Sequence, residues 1–180
     1  MKERWCHEID LITSEFKQSF GSLSVEQLNW KPNPNSWSIG QNIDHLIVIN
    51  NSYQPVIAAI RDKNNKLPFV SKFNFLVNFM GQAVLKAVQP DRKKKTKTFP
   101  IWEPSISDIT SNIMDRFEKQ QLDLKILIKS SLDLLDKGTI ISSPANKNIV
   151  YKLETAFDII IVHERRHLEQ SKEILKLLKN

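Results

Sequence analysis

Apolar residues recur three and four positions apart through nearly all of this 180-residue sequence, and no stretch alternates with period two for long enough to make a strand. Such spacing lays a stripe along one face of a helix and leaves a sheet nothing to pack, so the chain is expected to be all-α. The carboxy-terminal stretch follows the rule and then breaks it. Counting in steps of three or four from Leu153 gives Ala156, Ile160, His163, His167, Gln170, Ile174 and Leu178 on one face of a helix running from about Lys152 to Leu178. Three polar side chains in an otherwise apolar seam cost stability unless each finds a hydrogen bond or a metal.

The other helices are read in the same way. A first helix from about Glu3 to Phe20 carries Trp5, Ile9, Ile12, Phe16 and Phe20 inward and stops at Gly21. Asn29 to Asn35 is too rich in proline and asparagine to be helical, and Ser38 with Gln41 three residues on makes a capping box that restarts the helix. That second helix bears Ile39, Ile43, Leu46, Tyr53, Ile57 and Ile60, with His45 beside the stripe and a kink expected at Pro55. A shorter aromatic helix is expected from about Phe69 to Val88, and an apolar strap from Phe99 to Pro104. A long helix is expected from about Ser107 to Leu135, with Lys137-Gly138 as its stop. One domain, residues 1–180, accommodates all of this.

His163 and His167 stand one turn apart, with Cβ atoms about 5–6 Å from each other, so both imidazoles can reach one ion. His45, in W-S-I-G-Q-N-I-D-H-L on a companion helix, is the natural third ligand, whereas His7 has no partner at ligand spacing. Three neutral imidazoles leave a coordination position open, the arrangement of a catalytic rather than a closed site. H-E-R-R-H also matches the zinc-protease pattern. The extended form of that motif needs Gly and His where this chain has Gln170 and Glu173, and no strand is available to hold a peptide. Glu164, about 100° round the helix, is a candidate general base that could instead pair with an arginine. Gln170 and Gln41 are candidates to orient a bound ligand, although capping already accounts for Gln41. Trp37 reads as a hydrophobic staple before Ser38, Tyr53 as core, and Cys6 as a packing or surface residue rather than a nucleophile.

The net charge of +6 is concentrated locally: Asp91 to Lys97 holds five basic residues against one acid. With no aromatic interleaved and no recognised motif, it reads as a solvated loop, and no nucleic-acid partner is expected. A single cysteine excludes an internal disulfide and suits a reducing compartment. The amino terminus lacks the apolar run of a signal peptide, and the longest apolar run, Ile159 to Val162, is far short of a membrane span. A cytoplasmic location without membrane contact is therefore expected.

The pairing of W-S-I-G-Q-N-I-D-H-L with H-E-R-R-H-L-E-Q, together with K-T-F-P-I-W-E-P-S between them, resembles the DinB-like family over nearly the whole chain. That resemblance implies a four-helix bundle in up-down-down-up order with additional short helices. It also implies a divalent ion on His45, His163 and His167, and often a homodimer. The chemistries it implies are hydrolysis and thiol S-transfer or thiol-dependent isomerisation, with a small molecule, in some cases a low-molecular-weight thiol, as substrate. Zinc or nickel is the first expectation for the ion and iron or manganese the second; copper also suits imidazole donors. The competing expectation is a non-catalytic binding or stress-response module whose metal site is structural or vestigial.

Overall fold

The computed structural model describes residues 2–91, 98–105 and 108–179; the basic run at 92–97 falls outside them. Its elements are α1 (Lys2–Phe20), α2 (Val25–Asn29), α3 (Ile39–Asn51), α4 (Tyr53–Arg61), α5 (Asn74–Ala87), α6 (Ile113–Ser130), α7 (Leu132–Asp136), β1 (Ile140–Ser142), β2 (Val150–Lys152) and α8 (Leu153–Lys179). Short 3₁₀ turns, Phe69–Lys72 and Pro100–Trp102, lie between them. The fold is a four-helix bundle of α1, α3, α6 and α8.

Cross-helix contacts give each helix its direction. Glu8 and Glu15 of α1 both reach Arg165 of α8, and Glu15 also reaches Lys172, so α1 and α8 run parallel. On α6, Lys125 meets Asp10 and Glu118 meets Lys17, which makes α6 antiparallel to α1. The pairs Asp44–Arg116 and Asn50–Gln120 set α3 parallel to α6. The order is up-down-down-up, and each helix packs chiefly on two neighbours, α1 and α3 both lying between α6 and α8.

The expected α1 stripe is buried in full: Trp5, Ile9, Ile12, Phe16 and Phe20 are all core residues. Phe16 meets Phe117 of α6 with ring centroids 4.8 Å apart, and Trp5 meets Phe157 of α8 at 5.3 Å. Each such side chain contributes about 1.5–3 kcal/mol relative to exposure, so this one face ties three helices together. Ser38 caps α3 as expected, its Oγ accepting from the Gln41 N–H while Gln41 Oε1 accepts from the Ser38 N–H. The Pro55 interruption falls at Ser52, one residue past the Asn51 carbonyl that Pro55 cannot pair with.

Three elements differ from the sequence reading. The aromatic helix is a 3₁₀ turn followed by α5, separated by Phe73 in an extended conformation. The long helix starts at Ile113 and breaks at Ser131, whose Oγ donates back to the Leu127 carbonyl; Ser107, its expected start, lies outside the described residues. A two-stranded antiparallel ladder, Ile140 opposite Lys152 to Ser142 opposite Val150, precedes α8. Strands of three residues are too short for period-two alternation to register.

Candidate metal centre

The box at Ser38 sets where α3 begins and therefore which side chains its first two turns turn inward. Asn42 and His45, three apart, share that face. Opposite them on α8 stand His163 and His167. Among the described residues, one ring nitrogen from each of His45, His163 and His167 lies within 4.8 Å of the others. The Nε2 atoms of His163 and His167 are 3.0 Å apart.

The outer nitrogens assign the tautomers. His167 Nδ1 donates to Asn42 Oδ1 at 2.7 Å, and Asn42 in turn donates its Nδ2–H to the Ser38 carbonyl at 2.8 Å. His45 Nδ1 donates to the Trp102 carbonyl at 2.5 Å. In both rings the proton is spent on an oxygen, and the Nε2 lone pair is left facing the centre. Burial pushes the His45 pKa down to about 4, and burial followed by the charges of His45 and Arg166 pushes His163 down to about 3. His167, buried against both, is also held well below its ordinary value. All three are neutral imidazoles at pH 7.

Chemically, the donor set suits a divalent first-row ion. Two nitrogens bound to one ion at about 2.0–2.1 Å and a tetrahedral angle stand about 3.4 Å apart, so the observed pair needs only a few tenths of an ångström of spreading. The strap holding His45 is itself held. Trp102 Nε1 donates to Ser52 Oγ, Asp44 accepts from the Ser105 N–H and from Arg116, and Gln41 Nε2 donates to the Ser105 carbonyl. Trp37, half-buried, lays its ring 4.7 Å from His45 and 6.1 Å from His167, nearly parallel to the latter. It walls the cluster and is not the staple expected from sequence. Tyr53 is core as expected, its hydroxyl 3.0 Å from that of Tyr151.

The remaining candidates lie elsewhere. Gln41 caps α3 and ties the strap. Gln170 is half-buried with no side-chain hydrogen bond among the described residues, His7 is exposed on α1, and Cys6 is a half-buried free thiol. Glu164 points away from the histidines into the bundle, where its Oε1 accepts from Asn50 Nδ2 at 2.6 Å and Gln121 Nε2 at 2.7 Å. It is fully buried and has no arginine partner in hydrogen-bond range among the described residues. The deepest seam of α8 thus runs through Glu164, Leu168 and Ser171, and His163 and Gln170 sit at its edge. Sequence reasoning missed Asn42. Its signal was a position three before His45 on a capped helix.

A pocket of about 440 Å³ lies across the strap, lined by Asp44, Val48, Glu103, Asp108 and Arg116, and includes none of the three histidines. Histidine 163, half-buried, and Trp37 are instead the points at which the cluster approaches solvent.

A family model described as the DinB superfamily matches residues 8–171. The uncharacterized protein YuaE of Bacillus subtilis (strain 168) is 29% identical over 155 residues, covering 84% of this chain and 85% of that protein. Among solved structures, YfiT from Bacillus subtilis, described as a "probable metal-dependent hydrolase with an unusual four-helix bundle topology", aligns with a TM-score of 0.56 at 13% identity. That alignment covers 99% of this chain and 87% of YfiT. At that identity the likeness speaks for the shared fold.

Proposed function

The chain belongs to the DinB superfamily, and from that premise we propose that it is a metal-dependent enzyme acting on a small molecule, with His45, His163 and His167 holding one divalent ion. The observation that carries this reading is the pair of Nδ1 hydrogen bonds, from His45 to the Trp102 carbonyl and from His167 to Asn42, which turn two Nε2 lone pairs toward His163. A core histidine also pairs its N–H, but three buried rings whose remaining nitrogens converge on one point are the arrangement a metal ion needs. An ion there supplies Lewis acidity, lowering the pKa of water from about 15.7 to roughly 7 and that of a thiol likewise.

The chain's own part is to keep three imidazoles neutral and aimed, and to wall the site with Trp37. Our reading extends to hydrolysis or transfer to a low-molecular-weight thiol, to zinc or nickel before iron or manganese, and to a cytoplasmic, homodimeric protein. Neither Glu164 nor Gln170 takes a catalytic role in it, because Glu164 faces the other way and Gln170 lies at the seam's edge. The partial exposure of His163, beside the half-buried Trp37, favours this reading over a sealed structural site.

Elemental analysis of untagged protein beside His45→Ala, His163→Ala and His167→Ala tests it. About one divalent ion per chain, lost in each variant, is the expected result and opens a screen of ester, amide and thiol-transfer substrates. Parent protein that neither carries nor takes up zinc, nickel, iron or manganese returns the chain to the non-catalytic module; sedimentation measures the dimer.

A further inference from the structure

The outer face of α5 and of the 3₁₀ turn before it is aromatic and open. Phe69, Phe75 and Phe79 are 70%, 68% and 69% exposed, and Leu67 and Phe73 stand beside them at 37% and 41%. The rings adjoin, Phe69 to Phe73 at 5.5 Å and Phe73 to Phe75 at 6.3 Å, so this is one patch. The inner side of α5 is already committed. Val77 is buried, and a Cβ added at Gly81 would come within 3.0 Å of Thr155 and 3.1 Å of Tyr151. Exposed apolar surface of this density on one face marks a contact site.

Its charge indicates the partner. Between Lys63 and Asp91 the chain has four lysines, Lys63, Lys66, Lys72 and Lys86, and a single acid, Asp91. All four lysines are exposed, and none forms an ion pair among the described residues. Lys86 continues the Phe75–Phe79 stripe of α5, and Lys72 Nζ stands 5.1 Å over the Phe69 ring. On α1, α6 and α8, Lys17, Lys125, Arg165 and Lys172 are each matched to an acid, whereas the exposed Lys119, Lys129, Lys176 and Lys179 form no ion pair among the described residues. The α5 face is set apart by having its lysines beside open aromatic rings.

We propose that this face docks on the surface of an anionic phospholipid bilayer, with the phenylalanines entering the boundary between headgroups and acyl chains and the lysines meeting lipid phosphates. Aromatic anchors with lysines close to them in sequence, one of them over a ring and none in an ion pair among the described residues, match an interface that is apolar below and negative above. A second copy of the chain fits worse, because a two-fold contact would set two groups of lysines against each other with no acid between them. Single-stranded nucleic acid fits worse too. The rings meet at 70° and 65° rather than forming parallel platforms, and Lys72 covers Phe69. The contact is peripheral, since among the described residues no helix is long and apolar enough to cross a membrane. It departs from the sequence-based expectation of no membrane partner, and it is independent of the metal reading.

The test is co-sedimentation of the full chain with phosphatidylcholine vesicles, with and without phosphatidylglycerol. Binding is expected only to the anionic vesicles and is expected to be lost at ~0.5 M salt, where screening shortens to a few ångströms. Replacing two exposed rings in Phe75→Ser/Phe79→Ser lowers partitioning about tenfold or more. Lys66→Gln/Lys72→Gln lowers it on the order of tenfold, and both variants keep the parent's melting temperature. The proposal is overturned by no binding, by equal binding to neutral vesicles, or by variants that bind like the parent. A dimer that Phe75→Ser/Phe79→Ser dissolves, or single-stranded RNA bound while vesicles are not, also overturns it.

Discussion

His163 and Glu164 are neighbours in α8 and serve two polar clusters that have opposite needs. In the first, oriented rings turn the Nε2 atoms of His45 and His167 toward that of His163, whose protonated Nε2 is 3.0 Å from His167 Nε2 and would give up its proton to an ion. The second is a closed square: Asn50 Nδ2 and Gln121 Nε2 each donate to both Glu164 Oε1 and Gln120 Oε1. Left over are three buried acceptors, Glu164 Oε2, Asn50 Oδ1 and Gln121 Oε1, which have no partner among the described residues. A proton on the carboxyl supplies the missing donor, and burial raises the Glu164 pKa to about 7, enough to hold that proton through mildly acidic pH. One turn of helix thus presents a site that wants a metal on one side and a group that wants a proton on the other.

Loss of a ligand should have the largest effect. Zinc at 1,000 times its dissociation constant stabilises a protein by about 4 kcal/mol, so its addition should raise the melting temperature of the parent and leave that of His45→Ala unmoved. An equal rise in both would mean the ion binds elsewhere. Next comes Glu164→Ala. Stranding the Asn50 and Gln121 donors in a new cavity should cost about 2–4 kcal/mol in denaturant unfolding while metal content stays at the parent level, so a protein that loses its metal but stays stable would dissolve the distinction between the clusters.

Asn42→Ala frees the His167 ring without removing a ligand and should weaken metal affinity about 10- to 100-fold, measured by competition with a chelating dye. Unchanged affinity would show that the Asn42 hydrogen bond orients nothing. The effect of the mildest perturbation, a change of pH, is a slope. Glu164 titrates at about 7 when folded and at 4.5 in its ordinary state, so its stabilisation is present below pH 4.5 and is lost as pH rises toward 7, at up to about 1.4 kcal/mol per unit. The depressed histidines act in reverse in metal-free protein. Their unfolded forms take up protons first, so stability falls as pH drops below 6.5. Glu164→Gln, whose amide can also supply the missing donor, should remove the first slope and keep the second. Urea midpoints across pH 5–7.5 read both.

Much of this was legible because local rules acted alone. The α1 stripe, the Ser38 box and the one-turn spacing of His163 and His167 depend on periodicity and capping, which a single segment expresses without help. The break at Pro55 is equally local, a missing N–H one turn after Asn51. Less legible were features that depend on a partner. Strands as short as β1 and β2 form only because each supplies the other's hydrogen bonds, and the break at Ser131 turns on a hydroxyl's choice of acceptor.

The sequence by itself determined that the chain is helical, where α1, α3 and α8 run, and that α8 carries polar groups within its inward face. Which of those groups faces which neighbour was decided by tertiary structure alone. A rotation of about 100° separates His163 from Glu164, and only the packing of α3 and α6 against α8 selects the side that meets His45 and the side that meets Asn50 and Gln121. The same holds for the Trp102 carbonyl, 57 residues from His45, and for the outer face of α5. Periodicity records that a face is apolar, but only the assembled bundle determines whether another element covers it.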